Sequence, residues 1–182
     1  MALPMQTWLH RGMIVAVLVV VWLLTSGNLV RARGGDESAP ADNNLAIIVN
    51  TSNPVGGLSL RELRKVFLGE RAHWPNARRI TLVMMEPGQP ERRALVRDVC
   101  QMSESDFTRH FLNGVFTGEV FASPKTLASP VGVRKFVFNV PGAIGYVRAS
   151  DVDSTVKVIR VDGHLPSEKE YPLHIEAVRA AR

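Results

Sequence analysis

Pro141-Gly142-Ala143-Ile144-Gly145-Tyr146-Val147 reads as a tight turn feeding a buried strand. Gly142 and Gly145 read as backbone geometry, a turn after Pro141 and close packing of the strand. The run from Ala143 to Val147 is apolar and continuous, the pattern of a strand covered on both faces. About 80 residues earlier lies Leu58-Ser59-Leu60-Arg61-Glu62-Leu63-Arg64-Lys65-Val66-Phe67-Leu68-Gly69, followed by Trp74. Ser59 and Glu62 have the spacing of a capping box, in which each side chain satisfies a free backbone N–H at a helix start. Leu60, Leu63, Val66 and Phe67 fall on one helical face, and Gly69 ends the helix.

The same two patterns recur outward from these stretches. Leu45-Ala46-Ile47-Ile48-Val49 is an apolar run stopped by Asn50-Thr51-Ser52-Asn53-Pro54, a strand and a loop. Ile80 to Met85 is a second strand, closed by the turn Glu86-Pro87-Gly88-Gln89-Pro90. Pro90 suits the first position of a helix whose apolar face is Ala94, Leu95, Val99 and Met102. Ser103 with Asp106 starts another helix, expected to carry Phe107, Phe111 and Leu112 inward and to stop at Gly114. Ser129-Pro130 starts one more, striped by Val133, Phe136 and Val137. Val156, Val158 and Val161 mark a further strand. Strands alternating with helices predict an α/β fold, a mainly parallel sheet with helices on both faces.

Composition bounds the function. The chain has 182 residues, enough for one domain with a leader and a tail, and is 46% hydrophobic and 21% charged. Its net charge of +5 owes much to Arg11, Arg31 and Arg33, since the first 33 residues hold no acid. Beyond them 19 basic residues face 17 acidic ones, and only 7% of residues are aromatic, which argues against a nucleic-acid binder. Cys100 is the single cysteine, so no intrachain disulfide forms, and its apolar segment reads as core. His10, His73, His110, His164 and His174 are scattered without metal-ligand spacing. No nucleophile elbow, Walker loop or dinucleotide fingerprint is present. We expect no enzyme activity, no cofactor and no metal.

His10-Arg11 precedes twelve apolar residues, Met13 to Leu24, and Thr25-Ser26-Gly27-Asn28 then break the run. A positive start, a short apolar core and small polar residues describe a secretory signal. Extended to residue 30, the same run also reads as an N-terminal inner-membrane anchor. Both readings place the rest of the chain outside the cytoplasm. The expected organisation is a signal peptide or anchor over 1–32, a flexible linker over 33–44, the folded lobe over 45–162 and a polar tail over 163–182, loose or forming a short surface helix.

In their order and spacing, Leu58 to Gly69 with Trp74 and Pro141 to Val147 resemble one lobe of the periplasmic phosphate-binding proteins of ABC transporters. Phe116-Thr117-Gly118 and Lys157-Val158 are similar to features of short, single-lobe relatives. The resemblance covers about residues 45 to 160. It implies one lobe of a type 2 periplasmic-binding-protein fold, export to the periplasm, non-catalytic binding of phosphate or another small anion, and a membrane transporter or sensor as partner. In that family an Arg-x-Asp-Gly-Ser-Gly-Thr loop opens a helix and surrounds the oxyanion with backbone N–H groups and hydroxyls. The corresponding stretch here is Met85 to Arg93, with Met85 about where the arginine stands and Gly88 retained. It implies an anion site at Gly88, Gln89, Arg92 and Arg93, the two arginines supplying the charge. Pro90 has no N–H, and Glu91 opposes an anion. A second reading remains beside the first: a protein-interaction module at the membrane that keeps the lobe and has lost solute binding.

Overall fold

The computed structural model describes residues 43–120 and 123–176. The leader expected over 1–32 and nearly all of the linker expected over 33–44 lie outside them. No helix among the described residues is long and apolar enough to cross a membrane.

Among the described residues seven strands form two sheets: β1 (Leu45–Asn50), β2 (Gly57–Leu58), β3 (Thr81–Met85), β4 (Lys125–Leu127), β5 (Ala143–Arg148), β6 (Val156–Val158) and β7 (Arg160–Val161). The five-stranded sheet has the order β4-β3-β5-β1-β6, and β2 pairs with β7 in parallel beside it. β3 runs parallel to both β4 and β5, while β1 runs antiparallel to β5 and β6. Four of the five strands therefore point the same way, the mainly parallel α/β sheet that the alternation of elements predicts. β5 sits at the centre, paired with β1 from Leu45 opposite Arg148 to Val49 opposite Ile144.

The helices are α1 (Leu60–Phe67), α2 (Pro90–Ala94), α3 (Glu104–Thr117) and α4 (Pro130–Asn139). α2 runs on into a π-helical turn, Leu95–Cys100. The Ser59–Glu62 capping box forms as expected, and Leu63, Val66 and Phe67 are buried behind it. The contact of Glu62 with the backbone and side chain of Ser59 holds its carboxyl below the usual carboxylate range. Ser103 and Ser129 cap α3 and α4 by accepting the N–H of Asp106 and of Gly132.

Successive residues of β5 serve opposite faces of the sheet. Gly145 lies under α4, where an added Cβ would stand 2.9 Å from Val133 Cγ1. Tyr146 points the other way, its ring 6.1 Å from that of Phe67 on α1. The strand is therefore covered on both faces, and its sequence is apolar throughout for that reason. Gly142 passes so close to the Arg79 carbonyl oxygen that no Cβ fits, and its own carbonyl accepts from Trp74 Nε1 at 2.9 Å. Trp74 is thus a core residue that ties the segment after α1 to the turn before β5.

Two local expectations change. α3 passes through Gly114 and ends at Thr117, with Gly118 in the left-handed region at φ 77°. Gly114 is a packing glycine: a Cβ there would meet Val120 Cγ2 at 2.5 Å. Leu112 is 59% exposed and faces outward. The expected loose tail is corrected through Glu176. Tyr171, Leu173 and Ile175 alternate into the core, the Leu45 N–H donates to the Leu173 carbonyl at 3.0 Å, and the Tyr171 hydroxyl donates to the Leu45 carbonyl at 2.7 Å. Their period of two is a strand-like signal that the polar residues around them obscure.

Gly142→Ala should lower stability by about 1–3 kcal/mol, the usual range for overpacking, because the obstructing atom is backbone and has no rotamer to move. Urea unfolding of the variant against the parent chain checks this, and an unchanged midpoint would refute the close approach.

Candidate functional site

In open α/β sheets, ligands gather outside the carboxyl ends of the strands. Here that edge is formed by the loop Glu86–Gln89 after β3, the Ala128–Ser129 segment after β4 and Arg148 at the end of β5. The structure brings the four expected anion-site residues to the first of these loops but gives them different roles.

Gly88 is exposed at φ 90°, a backbone conformation that side chains rarely adopt, so glycine turns the chain from β3 into α2. Gln89 is the residue before the helix and makes no side-chain cap. This contrasts with Ser59, Ser103 and Ser129, each of which closes its helix start. The first turn of α2 accordingly offers the N–H groups of Glu91 and Arg92 without a side-chain cap, Pro90 having none. Arg93 is exposed, and one of its terminal nitrogens donates to the Gly88 carbonyl at 2.7 Å.

Arg92 departs from the expectation. It is only 6% exposed. Its Nε donates to Glu104 at 2.9 Å, a terminal nitrogen donates to the Met85 carbonyl at 2.8 Å, and its guanidinium carbon lies 5.6 Å from the centre of the Phe107 ring. The guanidinium is a structural pin joining β3, α2 and α3. Glu91 is buried as well, and it accepts from Arg148 Nε at 2.6 Å. The expected repulsion between Glu91 and an anion is thus largely cancelled inside an ion pair.

The reason lies in how β3 ends. β3 and β5 are in ladder register only at Thr81 and Leu82. The Met85 peptide groups on that side have no strand partner. The Met85 N–H donates to the Tyr146 hydroxyl at 3.0 Å, and the Met85 carbonyl accepts from Arg92. Two side chains replace a missing piece of ladder. Burial pushes the Tyr146 phenol well above its usual pKa, so it remains a neutral hydroxyl across the physiological range.

Helical spacing could have flagged Arg92. It shares a face with Leu95, Val96 and Val99, all buried. The sequence carries no comparable signal for Tyr146 reaching Met85, because that contact depends on where the β3–β5 ladder stops.

Cys100 is buried, and desolvation pushes its thiol up to about 12, which removes the thiolate. Among the described residues no group of His, Cys, Asp and Glu could hold a metal ion.

No family model matches the chain. It is 28% identical, over 77% of its length and 46% of the relative's, to the phosphate-binding protein PstS of Bacillus subtilis. Its fold is similar to that of an ABC-type phosphate transport receptor from Vibrio cholerae (TM-score 0.56, 19% identity, 68% of this chain and 48% of that one). A phosphate ABC transporter substrate-binding protein from Clostridium perfringens, described as putative and solved with bound phosphate, gives a TM-score of 0.55 at 23% identity, over 66% and 46% of the two chains. PstS from Borrelia burgdorferi gives 0.57 at 13%, over 74% and 55%. The chain spans about half the length of the relatives it matches. It resembles the phosphate-binding periplasmic proteins of ABC transporters, and the relatives are receptors and binding proteins rather than enzymes.

Arg92→Met should cost about 1–3 kcal/mol, since it strands the Met85 carbonyl and the partly buried Glu104. Arg93→Met, on an exposed side chain, should stay within about 0.5 kcal/mol of the parent. Equal unfolding midpoints for the two variants would contradict the separate roles assigned here.

Proposed function

We propose that this chain is an exported, non-catalytic binding lobe that holds phosphate or a related small oxyanion at the carboxyl end of β3 and works with a membrane transporter. The single observation that carries the reading is the uncapped first turn of α2, which starts at the loop where the sequence resemblance leads us to expect an anion. A helix start offers N–H donors and the positive end of the peptide dipoles, so an oxyanion is its natural complement. Gly88 shapes the approach, Gln89 and the N–H groups of Glu91 and Arg92 supply donors, and Arg93 supplies exposed positive charge. The Arg92 side chain contributes by holding the strand end rather than by touching the ligand. The leader delivers the lobe to the periplasm, as a cleaved signal or as an anchor.

The charge balance at this edge predicts modest affinity. Glu86, Glu91 and Glu104 stand near Arg92, Arg93 and Arg148, and Arg93 is solvated. Exposed ion pairs contribute about 0.2–1 kcal/mol, so a single exposed arginine adds only a few-fold to binding.

A second reading, the protein-interaction module, is favoured by one feature. Leu112, Val115 and Phe116 form an exposed stripe on α3, and Phe116 is 84% exposed. Large apolar side chains grouped on a surface mark contact faces.

Isothermal titration calorimetry of the full chain in a neutral detergent, freed of phosphate, separates the two. The anion reading predicts saturable one-to-one heat with inorganic phosphate, weakened roughly two- to five-fold by Arg93→Met. Absence of heat at millimolar phosphate refutes it and leaves the interaction module.

A further inference from the structure

α3 carries two apolar stripes where one would seat it. Phe107, Phe111 and Gly114 are buried against the lobe. The other side of the helix shows Leu112, Val115 at 46% exposure and Phe116. Residues three and four apart share a helical face, so Thr108 and Arg109, both exposed, continue this second stripe toward the amino end. A groove lined by Phe107, Phe111, Leu112 and Pro124 runs beside it and widens the apolar area.

The face is complementary to itself when reversed. Leu112 and Phe116 stand at equal distances along the chain on either side of Gly114, and so do Arg109 and Glu119, which carry opposite charges. Suppose α3 lies antiparallel on a second copy, with the two-fold axis level with Gly114. Leu112 then meets Phe116 of the second copy, and Arg109 comes beside Glu119 of the second copy. Each contact occurs twice, as an isologous interface requires. A parallel arrangement would set Arg109 on Arg109 and Glu119 on Glu119, and like charges facing each other are unfavourable.

Both charges are free to take part. The Arg109 side chain is 69% exposed and meets Asp106 only at 3.5 Å, an exposed pair that contributes little. Glu119 is exposed just past Gly118, which ends the helix. We propose that this face is a self-association surface, through which the chain forms a two-fold dimer by antiparallel pairing of α3 with a second copy. The contact from Arg109 to Glu119 is about 15 Å of chain at helical rise, too short for an obligate interface, so the association is reversible. The dimer rests on the exposed stripe of the interaction reading and on nothing at the anion loop, so either can fail without the other.

Sedimentation equilibrium of the full chain in a density-matched neutral detergent, free of phosphate, tests it. We expect a monomer–dimer equilibrium. Phe116→Gln should weaken the dimer about ten-fold or more, with the unfolding midpoint of the dilute chain unchanged because the side chain is exposed in the monomer. Arg109→Glu and Glu119→Arg should each weaken it roughly two- to thirty-fold, and the two together should restore it, which a local role for either residue would not do. A monomer at every concentration up to about millimolar overturns the proposal and leaves the stripe to a different partner. A dimer that Phe116→Gln leaves intact overturns it by placing the association elsewhere in the chain. Single charge variants that change nothing, or whose loss the double variant does not recover, overturn the antiparallel pairing.

Discussion

The peptide groups of Met85 are the point on which the rest of this lobe depends. Where the β3–β5 ladder stops, the last N–H and carbonyl of β3 would be buried without partners, at about 1–3 kcal/mol apiece. The Tyr146 hydroxyl takes the N–H and the Arg92 guanidinium takes the carbonyl. Each partner comes from a different element, so the two bonds fix the direction of the chain as it enters α2. Arg92 then reaches Glu104 and Phe107, which extends the constraint to α3. The loop that holds the proposed anion site thus leaves a strand end whose position is set from two sides.

β5 makes this arrangement feasible. Gly145 admits α4 on one face, while Tyr146 on the other face packs on Phe67 and still reaches Met85 with its hydroxyl. A phenol suits this place because its body is apolar and its tip is polar. The close passage of Gly142 under Arg79, with Trp74 bonded to the Gly142 carbonyl, locks the amino end of the same strand. Acids and arginines pair at the carboxyl edge, Arg92 with Glu104 and Arg148 with Glu91.

Much of the fold was legible because its signals are local. The Ser59–Glu62 box, the apolar runs of β1 and β5 and the serine starts of α3 and α4 each follow from a few adjacent residues. What stayed hidden depends on distant partners. Gly114 looks like a helix stop until Val120 is seen against it. Tyr171, Leu173 and Ile175 look like a tail until β1 offers them a face. Arg92 and Arg93 are adjacent and chemically identical, and only the packing of α3 separates a buried pin from an exposed cation. The turn between β3 and α2 was therefore readable as local structure, while the different settings of its two arginines were not.

Native-state hydrogen exchange of the full chain, read residue by residue, is the most direct test of this account. If the Tyr146 and Arg92 bonds complete the sheet, the Met85 amide should exchange as slowly as the amides of β1 and β5, and a Tyr146→Phe variant should expose it selectively. A Met85 amide that exchanges as fast as those of the Glu86–Gln89 loop in the parent chain would contradict the account.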